Sequence, residues 1–120
     1  MSATTPGRAV RLAELTYPEV ERLLADPRPK VALLPVGSTE APGPHLPLNT
    51  DSLISEAVVA RAAEQLAAAG TVAAALPPIH YAVTEWAAMF AGSTSIAAET
   101  AIGLVLGTCK AIRAMGSLRS

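Results

Sequence analysis

Two carboxylates and one imidazole lie close together in the chain, at Glu40, His45 and Asp51. Three prolines stiffen the segment that joins them. Carboxylate oxygens and imidazole nitrogens are the ligands that zinc and other divalent ions accept in proteins. The residue types and their spacing therefore make this segment a candidate metal-binding loop.

The same three residues also have an interpretation that involves no chemistry. Glu40 is then a solvated loop charge, and His45 is a hydrogen-bonded loop residue. Asp51 is then a carboxylate in the first turn of a helix, where the helix dipole favours negative charge. Spacing alone favours this simpler interpretation.

The loop is expected to join a strand to a helix. Residues Val31 to Val36 form an apolar run between Pro29 and Gly37, which predicts a strand buried on both faces. Asp51 to Ala69 predicts a helix, which Asn49 or Thr50 caps and Gly70 ends. Its apolar stripe consists of Leu53, Ile54, Ala57, Val58, Ala62 and Leu66. Open α/β sheets bind ligands at such strand-to-helix loops.

Further elements complete an alternating pattern. Thr16 and Glu19 have the spacing of a capping box, which predicts a short amphipathic helix. Val72 to Leu76 predicts a second buried strand, and a third helix is predicted from Ser95 to Met115, with Gly116 as its stop.

This order predicts an α/β fold: a three-layer α/β/α domain with a mostly parallel sheet. The domain is expected to cover residues 11–120, after a disordered lead-in at residues 1–10. Two or three strands with three helices leave apolar faces uncovered, so we expect this architecture to be incomplete.

Composition excludes several classes of protein. The formal net charge is −1 and the nine Lys and Arg are scattered, which argues against nucleic-acid or anionic-membrane binding. Charged residues interrupt the most apolar stretch, so no transmembrane helix is expected. The first ten residues do not resemble a secretory signal, and the single Cys109 cannot form an internal disulfide. These features predict a cytoplasmic protein in which Cys109 is a small core residue.

The stretch VALLPVGSTEAPGPHLPLNTD, from Val31 to Asp51, is similar to the first signature of the creatininase (creatinine amidohydrolase) family. That signature reads approximately P-x-G-S-x-E-x-H-G-P-H-L-P-L-x-T-D. The segment from Phe90 to Ile96 resembles a second family segment, F-P-G-T-x-S. Together the resemblance spans residues 10–116, which is about half of a family member's usual chain.

The resemblance implies a hydrolase that cleaves a cyclic or linear amide, as in creatinine, through metal-activated water. It also implies a pair of divalent ions, zinc or manganese, a small-molecule amide substrate and a homo-oligomer when full length. By position, Glu40 corresponds to a ligand of the first metal and Asp51 to the carboxylate that bridges both. His45 corresponds to a histidine near the metals, and we expect it not to bind them.

His80 and Trp86 fall in a region that faces the metals in the family, which implies a substrate-binding role. The alternative is an ordinary loop histidine and an interface tryptophan. Pro42 stands where the family has a histidine ligand, and proline has no donor atom in its side chain. The family's later histidine and glutamate ligands come from the half that follows, so we expect this chain to bind metal weakly or not at all.

Three hypotheses follow. The first is a metal-dependent amidohydrolase, supported by the loop motif. The second is a non-catalytic remnant or interaction module that keeps the fold elements, which Pro42 supports. The third is a chain whose sheet a partner polypeptide completes.

Overall fold

The computed structural model describes residues 7–117, apart from the side chain of Ser117. Within them, three parallel strands form one sheet in the order β1-β3-β2. The strands are β1 (Val10–Arg11), β2 (Lys30–Leu33) and β3 (Val72–Ala75). The helices are α1 (Tyr17–Ala25), α2 (Thr50–Ala68) and α3 (Ala98–Ser117). The predicted α/β fold with a parallel sheet is confirmed.

Strand β1 was not predicted. The expected disordered lead-in covered residues 1–10, of which 1–6 lie outside the described residues. Val10, however, begins β1, pairs with Ala74 and is buried. The prediction is therefore wrong for Val10, because a strand of two residues is too short to show a hydrophobic period.

Helix α1 begins as its sequence predicts. The Thr16 backbone N–H donates to Glu19 Oε1 at 2.8 Å, and the Glu19 N–H donates to Thr16 Oγ1 at 3.4 Å. These two bonds form a capping box, which satisfies donors that the first turn leaves unpaired. Leu23 lies on the buried face of α1 and joins Val10, Val72 and Ala74 in one apolar cluster.

The two predicted strands differ in burial because they occupy different places in the sheet. Val72, Ala73 and Ala74 of the central strand β3 are all buried, as predicted. Strand β2 lies at an edge: Val31 and Leu33 are half-buried against the α2 side, whereas Lys30 and Ala32 are exposed. The prediction of a strand buried on both faces, from Val31 to Val36, was therefore wrong for β2.

Helix α2 packs on the sheet through small residues. Ala63 and Ala67 are buried against Ala73, and Ser52 is buried at the start of the helix. Most of the predicted apolar stripe points away, with exposures of 52% for Leu53 and 62% for Val58. The helix occupies its predicted place, but the prediction of its buried face was wrong, because alanine allows the helix backbone to approach the sheet closely.

Helices α1 and α3 lie on the face of the sheet opposite α2, which gives three layers, because Val72 and Ala74 face α1 and the α3 groove while Ala73 faces α2. A groove of about 410 Å³ separates α3 from α1 and the sheet, and none of the described α3 side chains is buried. Cys109 lines this groove and is exposed, so its predicted core position was wrong. The helix also continues through Gly116, which does not end it. No helix within residues 7–117 is long and apolar enough to cross a membrane.

Candidate active site

The candidate loop leaves β2 beside the segment that leaves β3. Val36 and Ile79 form a parallel bridge. The Gly37 N–H donates to the Ile79 carbonyl at 2.8 Å, and the Ile79 N–H donates to the Pro35 carbonyl at 2.9 Å. The two segments therefore remain paired beyond the carboxyl edge of the sheet.

A third segment, just before α3, joins them. The Thr94 N–H donates to the Thr39 carbonyl at 2.9 Å, and the Ile96 N–H donates to the Ala82 carbonyl at 3.1 Å. Ala82 and Ser95 also form a parallel bridge. Residues 36–41, 79–84 and 93–96 thus form one hydrogen-bonded platform, which positions the side chains of the site.

Gly37 allows the start of α2 to reach this platform. A Cβ atom at position 37 would lie 2.5 Å from the Cα atom of Ser52, which is far inside van der Waals contact. The Ser52 hydroxyl donates to the Ser38 carbonyl at 3.3 Å. Because Asp51 precedes Ser52, this close approach brings the Asp51 carboxylate to the loop that carries Glu40.

The carboxylates of Glu40 and Asp51 both lie within hydrogen-bonding distance of one hydroxyl, that of Ser38. Ser38 Oγ lies 2.8 Å from Glu40 Oε1 and 3.1 Å from Asp51 Oδ2. Taken together, these two distances limit the separation of the two carboxylate oxygens to at most 5.9 Å. The other oxygen of Glu40, Oε2, accepts a hydrogen bond from the Thr84 hydroxyl.

The donor set suits a divalent cation. The Ser38 hydroxyl has one hydrogen and can donate to only one carboxylate at a time. Two carboxylates this close repel each other when both are ionised. The three ion pairs among the described residues involve other acids: Glu64, Glu14 and Asp26. A cation between Glu40 and Asp51 would compensate their charge, and carboxylate oxygens suit hard divalent ions.

The other predicted site residues do not join this pair. His45 and His80 are exposed, and the described contact of His80 is through its carbonyl, which accepts from the Thr39 hydroxyl at 2.8 Å. Trp86 is 69% exposed in a 3₁₀ turn, Glu85–Ala87. Among the described residues, no three His, Cys, Asp or Glu side chains are grouped to hold a metal ion.

The hydroxyl residues of the site were not predicted from the sequence. Ser38 lies inside the motif but was not assigned a role there. Thr84 comes from another segment and has no local pattern that links it to Glu40. Ser93 Oγ accepts from the Ala41 N–H at 3.0 Å, and Ser95 Oγ accepts from the Thr84 N–H at 2.9 Å. These serines fix the loop rather than extend the carboxylate pair.

The site is an open edge of the protein. Asp51 is exposed, and Glu40 is half-buried. A cavity of about 420 Å³ lies elsewhere, between the β1 region and α2, and neither it nor the groove beside α3 is lined by these carboxylates. Asp51 is therefore the more accessible of the two carboxylates.

The chain is similar in sequence to a known protein family and to two curated proteins. A family model described as creatinine amidohydrolase matches residues 13–119. The mycofactocin precursor peptide peptidase of Mycolicibacterium smegmatis is 45% identical over 67 residues, which cover 55% of this chain and 27% of that protein. The Mycobacterium ulcerans protein of the same name is 41% identical over 78 residues, covering 62% and 31%.

Two solved structures are also similar to this chain over most of its length. The crystal structure of a creatinine amidohydrolase superposes with a TM-score of 0.76 at 30% identity, over 88% of this chain and 40% of that one. A structure described as creatininase with Mn gives a TM-score of 0.78 at 30% identity, over 91% and 42%. The chain thus spans less than half the length of each of these proteins.

Proposed function

The chain belongs to the creatinine amidohydrolase family, and from that premise we propose that it contributes two carboxylate ligands to metal-dependent hydrolysis of an amide bond. The observation that carries this proposal is the convergence of Glu40 and Asp51 on the Ser38 hydroxyl. The manganese in the name of one structural neighbour supports a divalent ion. Because the chain spans 27–42% of these relatives, the activity of the whole protein is part of the proposal.

Glu40 and Asp51 would hold the ion, zinc or manganese. When bound, a divalent metal polarises an amide carbonyl and makes a water molecule more acidic. Asp51 would offer two carboxylate oxygens to the metal from its exposed position in the first turn of α2. Glu40 is held from the protein side by two hydroxyls, which leaves lone pairs on its oxygens for a ligand.

We propose a cyclic or linear amide as the substrate. The names of the relatives indicate both kinds: creatinine is a cyclic amide, and a precursor peptide contains linear ones. Both are attacked at a carbonyl carbon, so one metal-assisted chemistry serves either. His45, His80 and Trp86 are our candidates for substrate contacts. Trp86 is exposed and lies two residues after Thr84, whose hydroxyl contacts Glu40. The Trp86 backbone therefore lies close to the carboxylates.

We expect weak metal binding by this chain. Pro42 is exposed and offers no donor atom in place of the family's histidine. Residues 7–117 provide no third acidic, histidine or cysteine ligand beside the pair. Each ligand must still be ordered and desolvated on binding, while fewer bonds compensate that cost.

We also propose a cytoplasmic homo-oligomer; the exposure of Leu53, Ile54 and Val58 supports self-association.

Hydrolysis and calorimetry test the proposal. Creatinine and a short peptide are incubated with the chain, with and without Mn²⁺, and calorimetry measures Mn²⁺ and Zn²⁺ binding. We expect slow, metal-dependent turnover that a chelator abolishes, together with a dissociation constant above about 1 μM. Turnover that persists in excess chelator would exclude the mechanism.

A second candidate is a non-catalytic interaction module that keeps the family fold. Pro42 and the small number of ligands favour it. It differs in one observable result, because such a module binds neither Mn²⁺ nor Zn²⁺ at millimolar concentration. Saturable binding of either ion at millimolar concentration would reject the module.

A further inference from the structure

We propose that the hydroxyls of Ser38 and Thr84 are positioning groups that hold the Glu40 carboxylate, one on each oxygen, in the orientation that faces Asp51. The inference rests on the proposed function for its metal-binding consequence. Its structural part concerns the metal-free protein and is tested separately.

The two hydroxyls fix the plane of the Glu40 carboxylate. Ser38 Oγ lies 2.8 Å from Oε1, and the Thr84 hydroxyl donates to Oε2. Rotation of the carboxylate about its last side-chain bond would break both contacts. Ser38 is 5% exposed and Thr84 1% exposed, so water competes little for either hydroxyl. A charge-assisted hydrogen bond is stronger than a neutral one, and this burial adds to the difference.

Both hydroxyls are carried by anchored backbone. The Thr84 N–H donates to Ser95 Oγ at 2.9 Å, and the Thr84 carbonyl accepts from the Ala87 N–H at 3.1 Å. The Ser38 carbonyl accepts from the buried Ser52 hydroxyl. The groups that contact Glu40 therefore have little freedom of their own, which is the property a positioning group requires.

Thr84 also determines what Ser38 can do. Because Ser38 has one hydroxyl hydrogen, it cannot donate to Glu40 and Asp51 at once. The Thr84 contact holds Glu40 whichever of the two carboxylates the Ser38 hydrogen serves, at 2.8 Å or at 3.1 Å. Without the Thr84 hydroxyl, only the Ser38 hydroxyl would hold the Glu40 carboxylate. The Ser38 hydrogen would then be less available to Asp51.

The consequence concerns metal affinity. A ligand that is already oriented loses less conformational freedom on binding, and loss of a partner that orients a metal ligand typically costs 10–100-fold in affinity. We therefore expect Thr84→Val and Ser38→Ala each to weaken Mn²⁺ binding by roughly 10–100-fold. Valine keeps the shape of threonine and lacks only the hydroxyl.

Two variants separate positioning from general damage to the fold. Thr84→Ser retains a hydroxyl, so we expect it to restore affinity close to that of the wild type. Thr108→Val removes a hydroxyl outside the platform, in α3, where it donates to the Leu104 carbonyl at 2.7 Å. It should leave Mn²⁺ affinity close to wild type, and thermal unfolding should show that each variant is folded.

The experiment combines Mn²⁺ titration, followed by the electron paramagnetic resonance of the free ion, with crystal structures of the metal-free variants. We expect one Glu40 orientation in the wild type and in Thr84→Ser, and several or a new one in Thr84→Val and Ser38→Ala. If the wild type binds no Mn²⁺, the proposed function fails, while the metal-free structures still test the positioning. An unchanged Glu40 side chain in both Thr84→Val and Ser38→Ala would overturn the inference. Should Thr84→Val not fold, Ser38→Ala decides alone.

Discussion

The carboxylates of Glu40 and Asp51 share the hydroxyl of Ser38, at 2.8 Å and 3.1 Å. Eleven positions apart in sequence, the two acids meet because the loop turns back from the sheet edge to the first turn of α2. Gly37 permits the close packing behind them, and Thr84 supplies a second donor from a separate segment. The arrangement brings two carboxylates together at one edge of the sheet, and our proposal is that a cation binds between them.

Gly37→Ala tests the close packing at the start of α2. The added Cβ would overlap Ser52 Cα at 2.5 Å, and backbone cannot move as cheaply as the end of a side chain. We expect the free energy of unfolding to fall by about 1–3 kcal/mol. Urea unfolding followed by circular dichroism measures it.

Gly103→Ala is the matched control for Gly37→Ala. Gly103 lies within α3, where a Cβ would meet nothing within 4 Å. Alanine is a better helix former than glycine, so we expect a gain of about 0.5–1 kcal/mol. A Gly37→Ala variant as stable as the wild type would contradict the role of Gly37.

Asp26 makes stability depend on pH. Side-chain hydrogen bonds from Arg28, at 2.7 Å and 3.0 Å, lower the pKa of Asp26 from 3.8 to about 2. A carboxylate whose pKa is lowered by folding stabilises the fold above its unfolded pKa. This contribution is complete above about pH 4 and is lost as the pH falls toward 2.

Unfolding measured between pH 6 and pH 2 checks this dependence. Asp26→Asn should lose less stability than the wild type on acidification from pH 4 to pH 2. Arg28→Ala removes the partner and should flatten the profile in the same way. Parallel profiles for the wild type and both variants would show that the ion pair does not contribute.

Pro42→His tests whether the loop still approaches a metal. A histidine there restores the side-chain donor that the family motif has, so we expect Mn²⁺ affinity to rise by about tenfold, or 1.4 kcal/mol. Pro44→His is the matched control, because it makes the same change two residues further along the exposed loop. Equal effects of the two variants in calorimetry would show that position 42 is not directed at the ion.

The sequence predicted correctly the elements that are determined by residues close together in the chain. The capping box of Thr16 and Glu19 can be read from sequence because both partners lie within one helical turn. The strand at Val72–Ala75 is a continuous apolar run, as a central parallel strand requires. The candidate loop was found because Glu40 and Asp51 belong to one motif, although their contact through Ser38 was not predicted.

Features that depend on distant partners were missed. The buried face of α2 is decided by Ala63 and Ala67 against Ala73, and the larger residues of the same helix suggested another face. Thr84 contacts Glu40 across 44 positions of sequence, and no spacing rule connects them. Only the pairing of three segments, which the tertiary structure sets, brings these residues together.

The most direct test of the account is a double-mutant cycle on the carboxylate pair. Mn²⁺ affinity is measured for the wild type, Glu40→Gln, Asp51→Asn and the double variant, with Glu99→Gln as a control that removes the same charge from the first turn of α3. If both carboxylates hold one ion, each single variant loses most of the affinity, and the double variant loses little more. Binding that survives both single substitutions at wild-type strength would show that Glu40 and Asp51 do not share a cation.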